Sequence, residues 1–142
     1  MITVAAFILT LGVLIVIHEY GHYRMAIACG VKVLRFSVGF GRVIWRRQAS
    51  PQSTEFVISA LPLGGYVRML DEREGPVSAD ELHRAFNRKT LWQRSAIVAA
   101  GPVANLLLAV LLYAGAHWIG MDEPKAMMSS PTAGSLAERA GL

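Results

Sequence analysis

The stretch ITVAAFILTLGVLIVIHEYGH, residues 2–22, decides how this chain folds. Its first sixteen residues, Ile2 to Ile17, carry no charge, and the next five contain two histidines and a glutamate. A helix needs about 20 residues to cross a hydrocarbon core of about 30 Å. The helix is therefore long enough to span a membrane only if it continues through residues 18–22. Ionisable side chains are costly inside a bilayer, so their presence there indicates function.

A second charge-free run of 27 residues, from Ser95 to Met121, is long enough to span a membrane with some tilt. The whole chain of 142 residues is 54% hydrophobic and only 17% charged, which is typical of membrane proteins. The single cysteine, Cys29, excludes a disulfide framework within the chain. A cleaved signal peptide is the alternative for the first run. It is disfavoured because no basic residue precedes the run and His-Glu interrupts it.

The basic residues are concentrated between the two runs. Twelve of the fourteen Lys and Arg residues, but six of the ten Asp and Glu residues, lie from Arg24 to Arg94. That segment therefore carries a charge of +6, whereas the tail after Met121 carries −1. The positive-inside bias predicts that residues 30–94 are cytoplasmic and that both termini are extracytoplasmic. The net charge of +4 thus indicates topology and contact with lipid head groups rather than nucleic-acid binding.

The segment between the runs predicts a small sheet followed by a polar connector. β-branched and aromatic residues in imperfect alternation indicate two or three short antiparallel strands over residues 30–70. Because this apolar segment directly follows a membrane helix, we expect the sheet to dip into the bilayer, packed on protein or lining a wet cavity. In the connector, residues 71–94, Ser78-Ala79-Asp80-Glu81 has the form of a capping box and predicts an interfacial helix. An ordinary solvated turn is the alternative.

His18-Glu19-Tyr20-Gly21-His22 fits the pattern H-E-x-x-H. On a helix, His18 and His22 share one face and can hold one Zn²⁺. Glu19 lies beside that face, where it can take a proton from a water molecule and pass it to a leaving amine. The alternative, a histidine pair satisfied by hydrogen bonds alone, is weak in a membrane span because three ionisable groups would need partners there.

A catalytic zinc normally has three protein ligands, and this motif supplies two. His117 lies about 33 Å along the second span from Ser95, near the outer face, whereas the histidine pair lies near the inner face. Three residues in the polar connector are weak candidates: Asp71, Asp80 and His83. We therefore expect the third ligand to be missing from this sequence.

Five motifs together resemble the site-2 protease family of intramembrane zinc metalloproteases. The resemblance covers almost the whole chain and rests on the zinc motif, the glycine loop and end of a membrane re-entrant sheet, a second-span motif and the start of a PDZ domain. In this order the motifs are His18–His22, Phe36–Gly41, Pro62–Val67, Gly101–Asn105 and Gly134–Leu142.

The resemblance implies an α+β integral membrane protein. Its expected parts are a transmembrane helix with the zinc motif, a membrane re-entrant antiparallel β-sheet, a connector, a second transmembrane helix and an extracytoplasmic tail that starts a PDZ domain. These parts correspond to residues 1–29, 30–70, 71–94, 95–121 and 122–142. In the family the third ligand is an aspartate in a Leu-Asp-Gly context on a later span. No such tripeptide occurs here, and we expect an N-terminal fragment that is inactive alone.

The resemblance also implies an activity, a partner and a location. The expected activity is cleavage of transmembrane segments, such as that of an anti-sigma factor, in the bacterial inner membrane, with Zn²⁺ as the cofactor. Glu19 is the expected catalytic base, with His18 and His22 as metal ligands. Gly39, Phe40, Gly41 and Asn105 are expected to bind substrate. For the first three of these residues the alternative is a purely structural bend, and for Asn105 it is a tie between the two spans. For the whole chain the alternative is a non-proteolytic membrane adaptor with a PDZ-like tail.

Overall fold

The computed structural model describes residues 1–120, 133 and 135–140. The chain forms helix α1 (Ile2–Ala28), strands β1 (Val33–Arg47) and β2 (Glu55–Met69), helix α2 (Leu91–Ile119) and the single helical turn α3 (Leu136–Arg139). Two apolar helices thus flank an antiparallel two-stranded sheet, as the sequence predicts. Residues 1–112 form one compact unit that contains the sheet, and the chain from Tyr113 belongs to a second unit.

Helices α1 and α2 are 27 and 29 residues long, and both are apolar enough to cross a membrane. Most of their large apolar side chains are exposed on the surface of the protein rather than buried in it. A core helix of a soluble domain would bury that surface. The two helices therefore present wide apolar faces that match an apolar environment outside the protein.

The end of α1 and the start of α2 have specific local causes. Gly30 adopts a φ of 68°, its N–H donates to Ile27 O, and the N–H of Val31 donates to Ala26 O, which together form a Schellman motif. Helix α2 begins four residues before the expected Ser95, because Thr90 and Gln93 form a reciprocal capping box.

The sheet is more folded than a simple hairpin. The sequence predicts two or three short strands, whereas the structure has two strands of 15 residues, each of which bends. Phe36 pairs with Phe56 on one side and with Val67 on the other, so the first half of β1 lies between the two halves of β2. Beyond the bend, Val43 to Arg47 of β1 pair again with the first half of β2.

The predicted interfacial helix in the connector is wrong. Residues 71–90 contain two single 3₁₀ turns, Leu82–Arg84 and Phe86–Arg88, and Ala85 between them is extended. The capping box expected at residues 78–81 does not form, since Glu81 instead pairs with Lys32 at the start of the sheet. The alternative, an ordinary turn, describes this segment better.

A small core joins the two long helices to the sheet. Ala26, Val31, Val33 and Ile97 are fully buried against one another. Ala26 lies one helical turn beyond His22, so this core fixes α1 beside α2 at the level of the zinc motif. Most of the expected PDZ segment, residues 122–142, lies outside the described residues.

Candidate metal centre

The two histidines of the zinc motif converge. His18 and His22 lie one turn apart on α1, and their Nε2 atoms are 3.2 Å apart. Two nitrogens bound at about 2.0–2.1 Å to one tetrahedral ion lie about 3.3 Å apart. The pair therefore has the spacing that a shared zinc ion requires.

Helix α2 supports this pair with one of its faces. Ile97, Gly101 and Asn105 recur every four residues, which places them in a row along α2. The Nδ1–H of His22 donates to the backbone oxygen of Ile97 at 2.7 Å. This bond keeps the proton on Nδ1 and leaves the lone pair of His22 Nε2 free for a metal, as in many metal sites.

Gly101 has no side chain, and this leaves the space that the two imidazoles occupy against α2. A Cβ at this position would lie 2.3 Å from His22 Nε2 and 2.8 Å from His18 Nε2. Gly21 on α1 makes a similar close approach, since a Cβ there would lie 2.4 Å from Ala100 O. The two helices thus touch through glycines on both sides, which is typical of close packing between membrane helices.

Glu19 faces the sheet rather than α2. A Cβ at Gly65 of β2 would lie 2.7 Å from Glu19 Cγ and 3.3 Å from Glu19 Cδ. The glutamate side chain is half-buried and fits only because position 65 lacks a side chain. The expected general base is therefore held between α1 and β2, next to the histidine pair.

A cleft of about 370 Å³ connects the centre to charged residues of the connector. His22 is one of the lining residues, and the charged ones are Arg68 of β2 and Asp71, Arg73 and Glu74 of the connector. Asp71 accepts hydrogen bonds from the Arg73 backbone and side chain, and this arginine lowers the pKa of its carboxyl. Asp71 is thus an ionised, already partnered carboxylate.

Nearby, Glu72 accepts hydrogen bonds from Arg88 and Asn87, which lower the pKa of Glu72 to about 2. The connector is therefore held by ion pairs as well as by backbone hydrogen bonds.

The four predicted substrate-binding residues fall into two places. Asn105 contacts the centre, because its Nδ2 lies 3.5 Å from His18 Nδ1. Gly39, Phe40 and Gly41 lie at the bend of β1, where both glycines have positive φ values of 87° and 81°. Phe40 is 42% exposed and stacks on Tyr66.

The donor set fits zinc but is incomplete within the described residues. Both imidazoles present Nε2 to the same point, and the Nδ1 atom of each faces a polar atom of α2. Among residues 1–120, 133 and 135–140, no group of three His, Cys, Asp or Glu side chains could hold a metal ion. The weak candidates Asp71, Asp80 and His83 therefore do not join the pair in the described part of the chain.

Sequence reasoning missed two supports of the centre. The Ile97 oxygen is a backbone atom, which no side-chain motif reveals, although the four-residue spacing to Gly101 and Asn105 was a usable signal. The contact of Gly65 with Glu19 was also missed, because the sheet glycines indicate bends or close backbone approach without revealing which group approaches.

A glutamate and two converging histidines on an apolar helix define the class of H-E-x-x-H metallopeptidases. Over residues 6–134 the sequence matches peptidase family M50, and the chain belongs to that family. The resemblance drawn from the motifs is confirmed.

Several relatives are similar over nearly all of this chain. The regulator of sigma-E protease RseP of Escherichia coli K12 is 49% identical over 138 residues, which are 97% of this chain and 30% of the relative. Protease RseP of Yersinia pestis is 47% identical over 140 residues, 99% of this chain and 31% of the relative. A Ralstonia nicotianae protein named as a zinc metalloprotease is 50% identical over 149 residues, 100% of this chain and 32% of the relative. The chain thus spans about a third of the length of these relatives.

Proposed function

We propose that this chain contributes two zinc ligands and the general base to an intramembrane zinc endopeptidase. The observation that carries the proposal is the convergence of the His18 and His22 Nε2 atoms at 3.2 Å, beside Glu19, on a helix long and apolar enough to span a membrane. The third ligand would then come from outside the described residues 1–120, 133 and 135–140. Two relatives are named regulators of sigma-E protease, and we propose that the substrate is a membrane protein of that regulation, such as an anti-sigma factor.

His18 and His22 would hold the ion through Nε2. An ion held there would lower the pKa of a water molecule and polarise the scissile carbonyl. Glu19 takes the proton from the attacking water and then gives it to the leaving amine nitrogen. Gly65 leaves room for the Glu19 side chain to face the substrate from the sheet side of α1.

The sheet would hold the substrate. A transmembrane helix hides its peptide bonds in internal hydrogen bonds, so it must unwind locally before a protease can reach them. A strand edge that enters the membrane offers backbone groups to the unwound segment by β-augmentation. In this proposal the bend at Gly39, Phe40 and Gly41 forms that contact, and the exposed Phe40 ring packs against the segment.

The location follows from the charges and the spans. We infer a multi-pass protein of the bacterial inner membrane, with the +6 segment between the helices on the cytoplasmic side and both ends of this chain outside. The sheet would re-enter the membrane from the cytoplasmic side. Residues 122–142 would start a PDZ domain on the outer side.

The test uses the complete protein that carries this sequence, purified in detergent with a transmembrane substrate. Glu19→Gln should reduce cleavage by about 10²–10⁴-fold, the usual contribution of a general base, while the zinc content stays near one ion per chain. Tyr20→Phe, an exposed neighbour on α1, is the matched control and should cleave normally. Unchanged cleavage in Glu19→Gln refutes the proposal.

The same variant tests the substrate contact. A photo-cross-linking residue at position 40 in the Glu19→Gln protein should capture the unwound part of the substrate. The same probe at Trp45, which is also exposed on β1, should capture much less. A membrane adaptor, the alternative function, predicts that the complete wild-type protein holds no stoichiometric zinc and cleaves nothing.

A further inference from the structure

The amide of Asn105 has one end against the metal centre and one end without a partner. Its Nδ2 lies 3.5 Å from His18 Nδ1, which is long for a hydrogen bond. Its Oδ1 is buried and has no hydrogen-bond partner among the described residues. A buried amide oxygen without a donor is unfavourable, so this orientation leaves the side chain poorly satisfied.

The chemistry of the imidazole decides which end of the amide should face it. A neutral histidine has one N–H and one lone pair. If His18 is to bind a metal through Nε2, its proton must be on Nδ1, and that N–H needs an acceptor. An amide nitrogen cannot accept a hydrogen bond. An NH₂ group donating to Nδ1 would instead leave the proton on Nε2, where it blocks the metal.

A rotation of the Asn105 amide by 180° gives a hydrogen-bond partner to both Asn105 Oδ1 and the Nδ1–H of His18. It brings Oδ1 to the position facing the Nδ1–H of His18, without moving the backbone of α2. His22 already has the equivalent arrangement, since its Nδ1–H donates to the Ile97 oxygen two turns earlier on the same face of α2. The NH₂ end then takes the place of the oxygen.

We propose that Asn105 is a positioning residue whose side-chain oxygen accepts the Nδ1–H of His18 and so fixes Nε2 as a metal ligand. One face of α2 then supports both histidines. Ile97 supplies a backbone oxygen for His22, Asn105 supplies a side-chain oxygen for His18, and Gly101 leaves space between them. This inference rests on the proposed zinc function. It adds a role at the metal centre to the expected substrate contact of Asn105.

The test compares two substitutions in the complete protein, with Zn²⁺ itself as the probe. Asn105→Leu removes the acceptor and should weaken zinc binding by about 10–100-fold in competition with a chelator. Asn105→Asp keeps an acceptor at the same place and should bind zinc at least as tightly as the wild type, as carboxylate–histidine pairs do. Leu106→Ala, at an exposed neighbour on α2, is the control and should bind normally.

A second measurement is independent of the metal. In the zinc-free protein, ¹⁵N chemical shifts of labelled histidine should show His18 protonated at Nδ1 in the wild type and in Asn105→Asp, and mixed tautomers in Asn105→Leu. Normal zinc binding by Asn105→Leu, or an equal loss in both variants, overturns the inference. If the wild type itself holds no zinc, the proposed function fails instead, so the two failures are distinguishable.

Discussion

Adding one methyl group at Gly101 should displace the metal ligands while leaving the helices in place. A Cβ there would lie 2.3 Å from His22 Nε2, 2.6 Å from His22 Cε1 and 2.8 Å from His18 Nε2. Ordinary contact between such atoms begins at about 3.5 Å, so His22 Nε2 must withdraw by about 1.2 Å. Metal–ligand distances tolerate about 0.2 Å, so the shifted nitrogen no longer shares one ion with His18.

The expected result of Gly101→Ala is a large functional loss in a folded protein. A misplacement of about 1 Å costs on the order of 10²-fold in activity, and the withdrawn ring also loses its bond to Ile97 O. The assay measures zinc per chain and cleavage of a transmembrane substrate, with thermal unfolding as the check on the fold. Gly115→Ala is the control on the same helix, because a Cβ there meets nothing within 4 Å.

The comparison of the two alanine variants makes the reasoning refutable. Alanine is the better helix former, so neither variant should weaken α2 itself. Gly115→Ala should keep its zinc and its activity. If Gly101→Ala also keeps both, the close approach of the imidazoles to α2 is not required for the centre, and the proposed support by this helix is wrong.

Two further predictions concern the connector and the topology. Glu72, with a pKa of about 2, adds stability that is complete above its ordinary pKa of 4.5 and is lost progressively as the pH falls from there through about 2. Arg88→Gln should raise that pKa toward 4.5, and an unchanged carboxyl titration by ¹³C NMR contradicts the ion pair. In a Cys29→Ser background, a membrane-impermeant maleimide should label Asp80→Cys only from the cytoplasmic side and Trp118→Cys only from the outer side, and the reverse pattern rules out the proposed orientation.

The sequence predicts the helices well because their signals are local. A charge-free run needs no knowledge of its neighbours, so α1 matches the expected span 1–29, and α2 differs from residues 95–121 by a few residues at each end. The early start of α2 shows what local sequence does not determine. Thr90-Leu91-Trp92-Gln93 and residues 78–81 both have the form of a capping box, but only the first forms the capping hydrogen bonds. Glu81 is drawn away by Lys32, a residue 49 positions earlier.

In the candidate metal centre, too, the local features were predictable from the sequence and the long-range ones were not. The relation of His18 to His22 is fixed by helical periodicity alone, and the structure brings the two Nε2 atoms together as expected. Only the spacing of Gly101 and Asn105 indicates which face of α2 meets them, because a helix that is apolar all round does not otherwise mark the side that packs. The fit of Glu19 over Gly65 depends on the register of a sheet that pairs twice with itself, which strand propensity does not determine.

The distance along the chain between the histidines and their supports has a consequence for biosynthesis. His22 and Ile97 are 75 residues apart, and His18 and Asn105 are 87 residues apart. At about 5–20 residues per second, a ribosome reaches Asn105 about 4–17 s after His18. During that interval the nascent helix carries three ionisable side chains without their final partners. The sixteen uncharged residues that precede them must therefore suffice to keep the first helix inserted until the second one arrives.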